Sequence, residues 1–179
     1  MPYYQDYISR VSIDYMAISL ELSAFLLVLC EVFKPGAILD LGSGFSSFVL
    51  RYYMSSATPK PIVWSVDDSP EWLERTRTFL MDYKVPSENL STWSSFAQQR
   101  FDNFDLILDD LGVMEVRTAT LKKVLTLARP AGIIILDDMH KAEYASYVKQ
   151  VLHASKCKSY NLIPYTRDKY GRFSILVTS

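Results

Sequence analysis

Two stretches of this 179-residue chain end an apolar run in a pair of aspartates. DLILDDLG carries Asp109 and Asp110; IIILDDMH carries Asp137 and Asp138, then His140. Neighbouring carboxylates repel, and gathering several raises the free energy unless a cation or a proton offsets the charge. Oxygen donors of this kind suit a hard divalent ion such as Mg2+ or Ca2+. They can equally contact a cofactor, or one acid of each pair can cap the helix that follows. His140 can act as an auxiliary base, as histidine side chains do, or it is a surface residue where a helix opens. His153 falls inside a predicted helix and reads as structural.

A third feature is Asp40-Leu41-Gly42-Ser43-Gly44, directly after an apolar strand and at the start of a helix. Glycines there let the backbone turn tightly and let a ligand approach, although a tight strand-to-helix turn needs no ligand at all. The place of a third glycine in a dinucleotide fingerprint is Ser47, which weakens the case for a pyrophosphate. Asp40 would also repel a pyrophosphate, whereas it suits a cofactor carrying an amino group. The next strand ends at Asp67, 23 residues beyond Gly44, where an acid in a doubly wound sheet accepts hydrogen bonds from ribose hydroxyls. Asp68 beside it either joins that site or shares the capping of the next helix with Ser69.

These residues need a scaffold that brings strand ends together. The most apolar window, Met16 to Phe33, reads as a buried amphipathic helix. Glu21 and Glu31 interrupt it, it is barely long enough to span a bilayer, and no basic segment precedes it as in a signal peptide. Lys34-Pro35-Gly36 stops it. Then come the strand AILDL, a helix to about Met54, the strand PIVWSV, and a helix opened by Ser69-Pro70-Glu71. NLSTW is a weaker strand and FDLILD a strong one. A helix near Glu115 to Ala128 follows, Pro130-Ala131-Gly132 turns the chain into IIILD, and a helix runs from about Lys141 to Ala154. SYNLIPYT and FSILVTS close the chain as two strands around a turn at Asp168–Arg172. So short a connection requires them to pair antiparallel.

Strands that are continuous apolar runs, alternating with helices, predict a parallel sheet covered on both faces. The expected fold is α/β and doubly wound, a mostly parallel seven-stranded Rossmann-like sheet with an antiparallel C-terminal hairpin. It forms one domain, with 1–34 as a leading helical segment and 37–179 as the core. Trp64, Phe79 and Phe104 are expected in packing, Trp72 and Tyr170 at a rim. A formal net charge of −1 without a basic run argues against a nucleic-acid partner. Cys30 and Cys157 show neither metal spacing nor a disulfide framework and read as reduced core residues of a cytoplasmic protein. No membrane association is expected; the sequence leaves room for a homodimer without specifying one.

Together the motifs resemble the class I S-adenosylmethionine-dependent methyltransferases, in the acid-x-Gly-x-Gly form of DLGSG (40–44) and in VDDSPEWL (66–73). The order of elements matches that family across nearly the whole chain. The resemblance implies S-adenosylmethionine as cofactor. Gly42, Ser43 and Gly44 would pass under its methionine part and Asp40 would lie near the amino group. Asp67, with Asp68 beside it, would hold the ribose, and Ser94 or Ser95 would lie near the adenine. The doublets narrow it to the cation-dependent O-methyltransferases similar to catechol O-methyltransferase. In that group one metal aspartate follows the fourth strand and an Asp-Asn or Asp-Asp pair follows the fifth. Those positions are Asp109, and 28 residues later Asp137 with Asp138. AISLELSAFL (17–26) looks like the family's leading helix and TRDKYGRFSILV (166–177) like its closing hairpin.

Three departures stand out. The family's lysine base, three residues past the first metal aspartate, is Gly112 here; Asp138 replaces asparagine; and little sequence precedes the core to form a substrate lid. A bound cation would lower the pKa of a substrate hydroxyl and make the oxygen a nucleophile without a strong protein base. The fourth strand is not followed by Asn-Pro-Pro-Tyr or Asp-Pro-Pro-Tyr, and the paired-glutamate loop of arginine methyltransferases is missing, which disfavours base amines and arginine as acceptors. The expected activity is O-methylation of a small-molecule acceptor, with Asp109 and His140 as catalytic candidates, Asp109 also facing the cofactor, and Mg2+ or another divalent cation at Asp109, Asp137 and Asp138. Two alternatives stay open: a nucleotide- or NAD-binding Rossmann enzyme, and a non-catalytic protein that binds S-adenosylmethionine or acts through protein contacts.

Overall fold

The computed structural model describes residues 2–101 and 103–178. Helices α1 (Pro2–Arg10) and α2 (Leu20–Phe33) lead into strand β1 (Ala37–Leu41), α3 (Phe45–Ser56), β2 (Ile62–Asp67), α4 (Pro70–Asp82) and β3 (Leu90–Thr92). Then follow α5 (Trp93–Phe96), β4 (Phe104–Asp109), α6 (Met114–Leu127), β5 (Ala128–Leu136), α7 (Ala142–Ala154), β6 (Lys158–Asn161), α8 (Ile163–Thr166) and β7 (Ile175–Thr178). The seven strands form one sheet in the order β3-β2-β1-β4-β5-β7-β6. The first five are mutually parallel, and β7 runs antiparallel to both β5 and β6. After β3 the chain crosses back to place β4 on the free side of β1. The carboxyl ends of β1 and β4 therefore flank the point where strand order reverses, the place where such sheets bind ligands.

The apolar runs have a direct cause. Successive strand residues point to opposite faces, and here both faces are covered. Ile38, Leu106, Leu108 and Ile135 pack with Leu22, Leu26, Phe48 and Phe79 from α2, α3 and α4. Leu39, Ile107, Ile134 and Leu136 pack with Leu121, Val124, Val148 and Leu152 from α6 and α7. Among the described residues no helix is long and apolar enough to cross a membrane.

Four elements differ from the sequence expectation. The leading helix begins at Leu20 rather than Met16, because the Ser19 hydroxyl accepts the Leu22 amide and caps it, a bond contributing about 1 kcal/mol. Strand β5 begins at Ala128, so Pro130-Ala131-Gly132, expected as a turn, lies inside it. Helix α1 falls within the expected leading helical segment. Tyr4 and Tyr7, three residues apart, share one face and bury against Phe45 and Phe79, with ring centroids 5.0 Å apart in each case. NLSTW is strand only to Thr92, whose hydroxyl caps α5 at Trp93. The tail is less regular than a hairpin of two long strands. Leu162 leaves the strand, Ile163–Thr166 makes one helical turn, and Thr166 Oγ1 accepts the Ser174 amide at 3.0 Å. Pro164 could not have donated to a sheet ladder in that run. The expected last strand runs on to Ser179, which, like Met1, lies outside the described residues.

Candidate functional site

The loops after four strands form one platform because ladder hydrogen bonds continue past the strand ends. Gly42 N donates to Val66 O at 2.8 Å, Asp110 N to Leu41 O at 2.8 Å and Asp137 N to Asp109 O at 3.1 Å. Gly42 holds φ +95°, and a Cβ there would lie 2.2 Å from the carbonyl oxygen of Asp110. Only glycine lets the turns after β1 and β4 stand this close.

Asp67 holds the glycine turn from the β2 side. Its Oδ2 accepts the Ser43 amide at 2.7 Å and the Ser43 hydroxyl at 2.9 Å, while Oδ1 accepts the Ser69 amide at 2.9 Å. Burial pushes this carboxyl up to about 6 although those donors pull it down. Trp72 Nε1 donates to Ser43 O at 2.6 Å, so the expected rim tryptophan instead pins the turn.

Asp40 is on the other side of the turn, fully buried. Its Oδ2 accepts Ser47 Oγ at 2.6 Å and Ser65 Oγ at 2.8 Å, and Ser47 Oγ in turn accepts the Gly44 amide at 3.2 Å. Behind it Arg51, 1% exposed, donates to Ser65 Oγ at 2.6 Å and to Glu88 O at 2.9 Å. Through Oδ2 the structure thus places Asp40 as a brace inside the fold, with the serine at the third-glycine position as its partner, while Oδ1 has no hydrogen-bond partner among the described residues.

Asp68 is exposed and does not cap α4; Ser69 does, accepting the Trp72 amide. The Asp68 carboxylate reaches across to the β4 loop, where a Cβ on Gly112 would lie 2.6 Å from Oδ2. A lysine at position 112 would therefore displace it. Thr92 stands opposite Asp67 in the β2–β3 register. Ser94 and Ser95 follow it on the exposed first turn of α5, along the same carboxyl edge.

The two doublets meet as expected, but their charge is balanced from within the chain. Arg117 of α6, 5% exposed, has Nη2 2.6 Å from Asp110 Oδ1 and Nη1 3.0 Å from Asp138 Oδ2. It also donates to the carbonyls of Leu111 and Gly112, both at 3.2 Å. Lys141 Nζ reaches Asp138 Oδ2 at 2.7 Å and Ser174 Oγ reaches Asp137 Oδ1 at 2.7 Å. Burial would raise Asp138, but Arg117, Lys141 and His140 outweigh it and hold the group below the usual carboxylate range. Burial and then Asp138 push Asp137 up. Among the described residues no group of three acidic, histidine or cysteine side chains converges as a metal donor set, so the expected cation site at Asp109, Asp137 and Asp138 is not shown. The available signal for Arg117 was its place at the head of the buried Arg117, Leu121, Val124 stripe of α6.

Asp109 lies fully buried beside this network, with neither carboxylate oxygen hydrogen-bonded among the described residues. Burial pushes it up to about 6, Arg117 and the nearby Leu111 amide pulling the other way. A raised folded pKa means that the folded state holds the proton longer than the unfolded one. Stability from this group is complete below about pH 4 and is lost as pH rises through about 6, a change of roughly 3 kcal/mol. Asp109→Asn is accordingly expected to flatten the fall in urea stability between pH 4 and 7 and to make the protein more stable than wild type at pH 7.5. His140 sits in the turn between β5 and α7, its Nδ1 3.5 Å from Asp138 Oδ1. The other histidine, His153, is in α7 but exposed.

No protein-family model and no curated protein matches the chain. Solved structures do. S-adenosylhomocysteine-bound PaMTH1 of Podospora anserina superposes with TM-score 0.74 at 13% identity, covering 99% of this chain and 86% of that one. The chain has the class I methyltransferase fold. An O-methyltransferase from Bacillus cereus in complex with S-adenosylhomocysteine gives 0.72 at 14% identity, covering 98% and 87%. The O-methyltransferase TomG of Streptomyces achromogenes, in complex with S-adenosylmethionine, gives 0.71 at 14%, covering 99% and 88%. At these identities the methyltransferase likeness is one of fold, and the chemistry has to come from the site.

Proposed function

We propose that this protein transfers a methyl group from S-adenosylmethionine to an oxygen of a small molecule. The observation that carries this reading is the double hydrogen bond from Ser43 to Asp67, which joins the glycine turn to the second-strand acid at the switch point. A cofactor with an amino-acid end and a ribose end requires both groups on one platform. Asp67 Oδ1 holds one amide and keeps acceptor capacity for a ribose hydroxyl. The turn Gly42–Gly44 would lie under the methionine part, Asp68 beside the ribose, and Ser94 and Ser95 beside the adenine. When bound, S-adenosylmethionine supplies an electrophilic methyl group on a sulfonium.

The chain's own task is to hold the acceptor oxygen in line and to take its proton. His140 can take it. Its Nδ1 lies 3.5 Å from Asp138 Oδ1 without a hydrogen bond among the described residues, a separation at which the carboxylate stabilises the imidazolium that forms. Asp109 presents a desolvated carboxylate at the end of β4 beside the same crevice. His140→Ala is expected to lower kcat by about a hundredfold or more while leaving S-adenosylhomocysteine affinity near the wild-type value. Steady-state kinetics and calorimetry on the same preparation separate the two quantities.

Transfer of a labelled methyl group from S-adenosylmethionine to a panel of phenols, catechols and aliphatic hydroxy compounds tests the reading. Label in at least one of these, as a methyl ether, is the expected result. Label in protein, nucleic acid or an amine, with none in a hydroxyl, would overturn it.

A further inference from the structure

The charge balance at the ends of β4 and β5 goes beyond the transfer reaction. Four aspartates, 109, 110, 137 and 138, lie at or just past the ends of the adjacent strands β4 and β5, and one buried guanidinium is inserted between Asp110 and Asp138. Arg117 contacts Asp110 from the β4 loop and Asp138 from the β5 loop, and its other donors go to the carbonyls of residues 111 and 112. A planar fork carries its own directed hydrogens and needs its partners spread around it. A divalent ion needs carboxylate oxygens gathered at about 2.0 to 2.6 Å. The oxygens here are spread. Asp138 Oδ2 is shared by Arg117 and Lys141, Asp137 Oδ1 is taken by Ser174, and the two oxygens of Asp109 are buried without a hydrogen-bond partner among the described residues. By holding Asp138 Oδ2, Arg117 and Lys141 also leave Oδ1 turned toward His140.

We propose that Arg117 is the resident cation of this cluster, a positioning residue whose guanidinium balances the strand-end aspartates and orients Asp138, so that the protein takes no divalent ion there. This concerns charge balance alone and stands or falls separately from the methyl transfer.

Mn2+ binding, followed by the paramagnetic resonance of the free ion, tests it in wild type, Arg117→Ala and Arg117→Lys. Wild type and the lysine variant are expected to bind no Mn2+ at millimolar concentration, and wild-type Tm should not respond to Mg2+ or to EDTA. Arg117→Ala should bind Mn2+ at least about tenfold more tightly than wild type, because its carboxylates are then uncompensated. Its lowered Tm should rise with Mg2+ or with methylguanidinium. An alanine variant that folds, binds no Mn2+ and gains nothing from either additive would overturn the proposal. Wild-type Mn2+ binding that Asp137→Asn abolishes would overturn it too, however the Arg117 variants fold.

Discussion

Gly42→Ala is expected to destabilise the protein by roughly 2–6 kcal/mol and to remove S-adenosylhomocysteine binding. Two costs add. A non-glycine residue at φ +95° is strained by about 1–3 kcal/mol, and forcing a methyl group into filled space costs about another 1–3 kcal/mol. The new Cβ would lie 2.2 Å from the oxygen and 2.6 Å from the carbon of the Asp110 carbonyl. These are backbone atoms held in the ladder by the Asp110 amide on Leu41 O, so no side chain can swing aside. Either the β1 turn or the β4 loop has to move, and both line the crevice. Gly171→Ala serves as control. It too has a positive φ, +79°, but nothing lies within 4 Å of its added Cβ, so only the strain term should appear in its urea midpoint.

The second large effect is expected at Arg51. Truncation to alanine removes a fully buried guanidinium and leaves Ser65 Oγ and Glu88 O without their donor, and Asp40 without the nearest positive charge. Arg51 reaches Asp40 through Ser65 Oγ, and leaving a buried polar group without its partner typically costs about 1–3 kcal/mol for each group. Because Asp40 holds Ser47 and Ser47 holds the Gly44 amide, some of that loss should appear as weaker cofactor affinity. Burial pushes the Asp40 carboxyl up, so Asp40→Asn, which removes an anion that burial disfavours, should recover part of the stability when combined with Arg51→Ala. A double-mutant cycle by urea unfolding measures the coupling. Strict additivity would show that the two groups do not act through one network.

The parts of this site that were legible in the sequence are those governed by local rules. Gly42 is required by backbone geometry at a strand end, and Asp67 is placed by the length of one strand-helix-strand unit. The strands announce themselves because burial on two faces leaves no polar alternation. What was not legible depends on partners distant in sequence. Tyr4 and Tyr7 look polar until Phe45 and Phe79 cover them, so the packing of α1 does not show in its own residues. The bracing role of Asp40 was hidden because its partner Ser65, and Arg51 behind Ser65, are distant in sequence. The doublets read as metal ligands because nothing nearby in the chain shows a guanidinium reaching Asp110 and Asp138. The positive charge comes from Arg117, on a helix face whose burial is decided by packing. The tail was over-read as two long strands because IPY is apolar enough for a strand, while Pro164 and the Thr166–Ser174 hydrogen bond make it a turn.

The most direct test of the account is calorimetry of the wild-type protein with S-adenosylhomocysteine and, separately, with NADH and ATP. One S-adenosylhomocysteine per chain is expected with micromolar affinity, lost in Asp67→Ala, with no heat from NADH or ATP. Binding of either nucleotide in its place, or no binding of S-adenosylhomocysteine at all, would contradict the assignment of the glycine turn and Asp67 to a methyl donor.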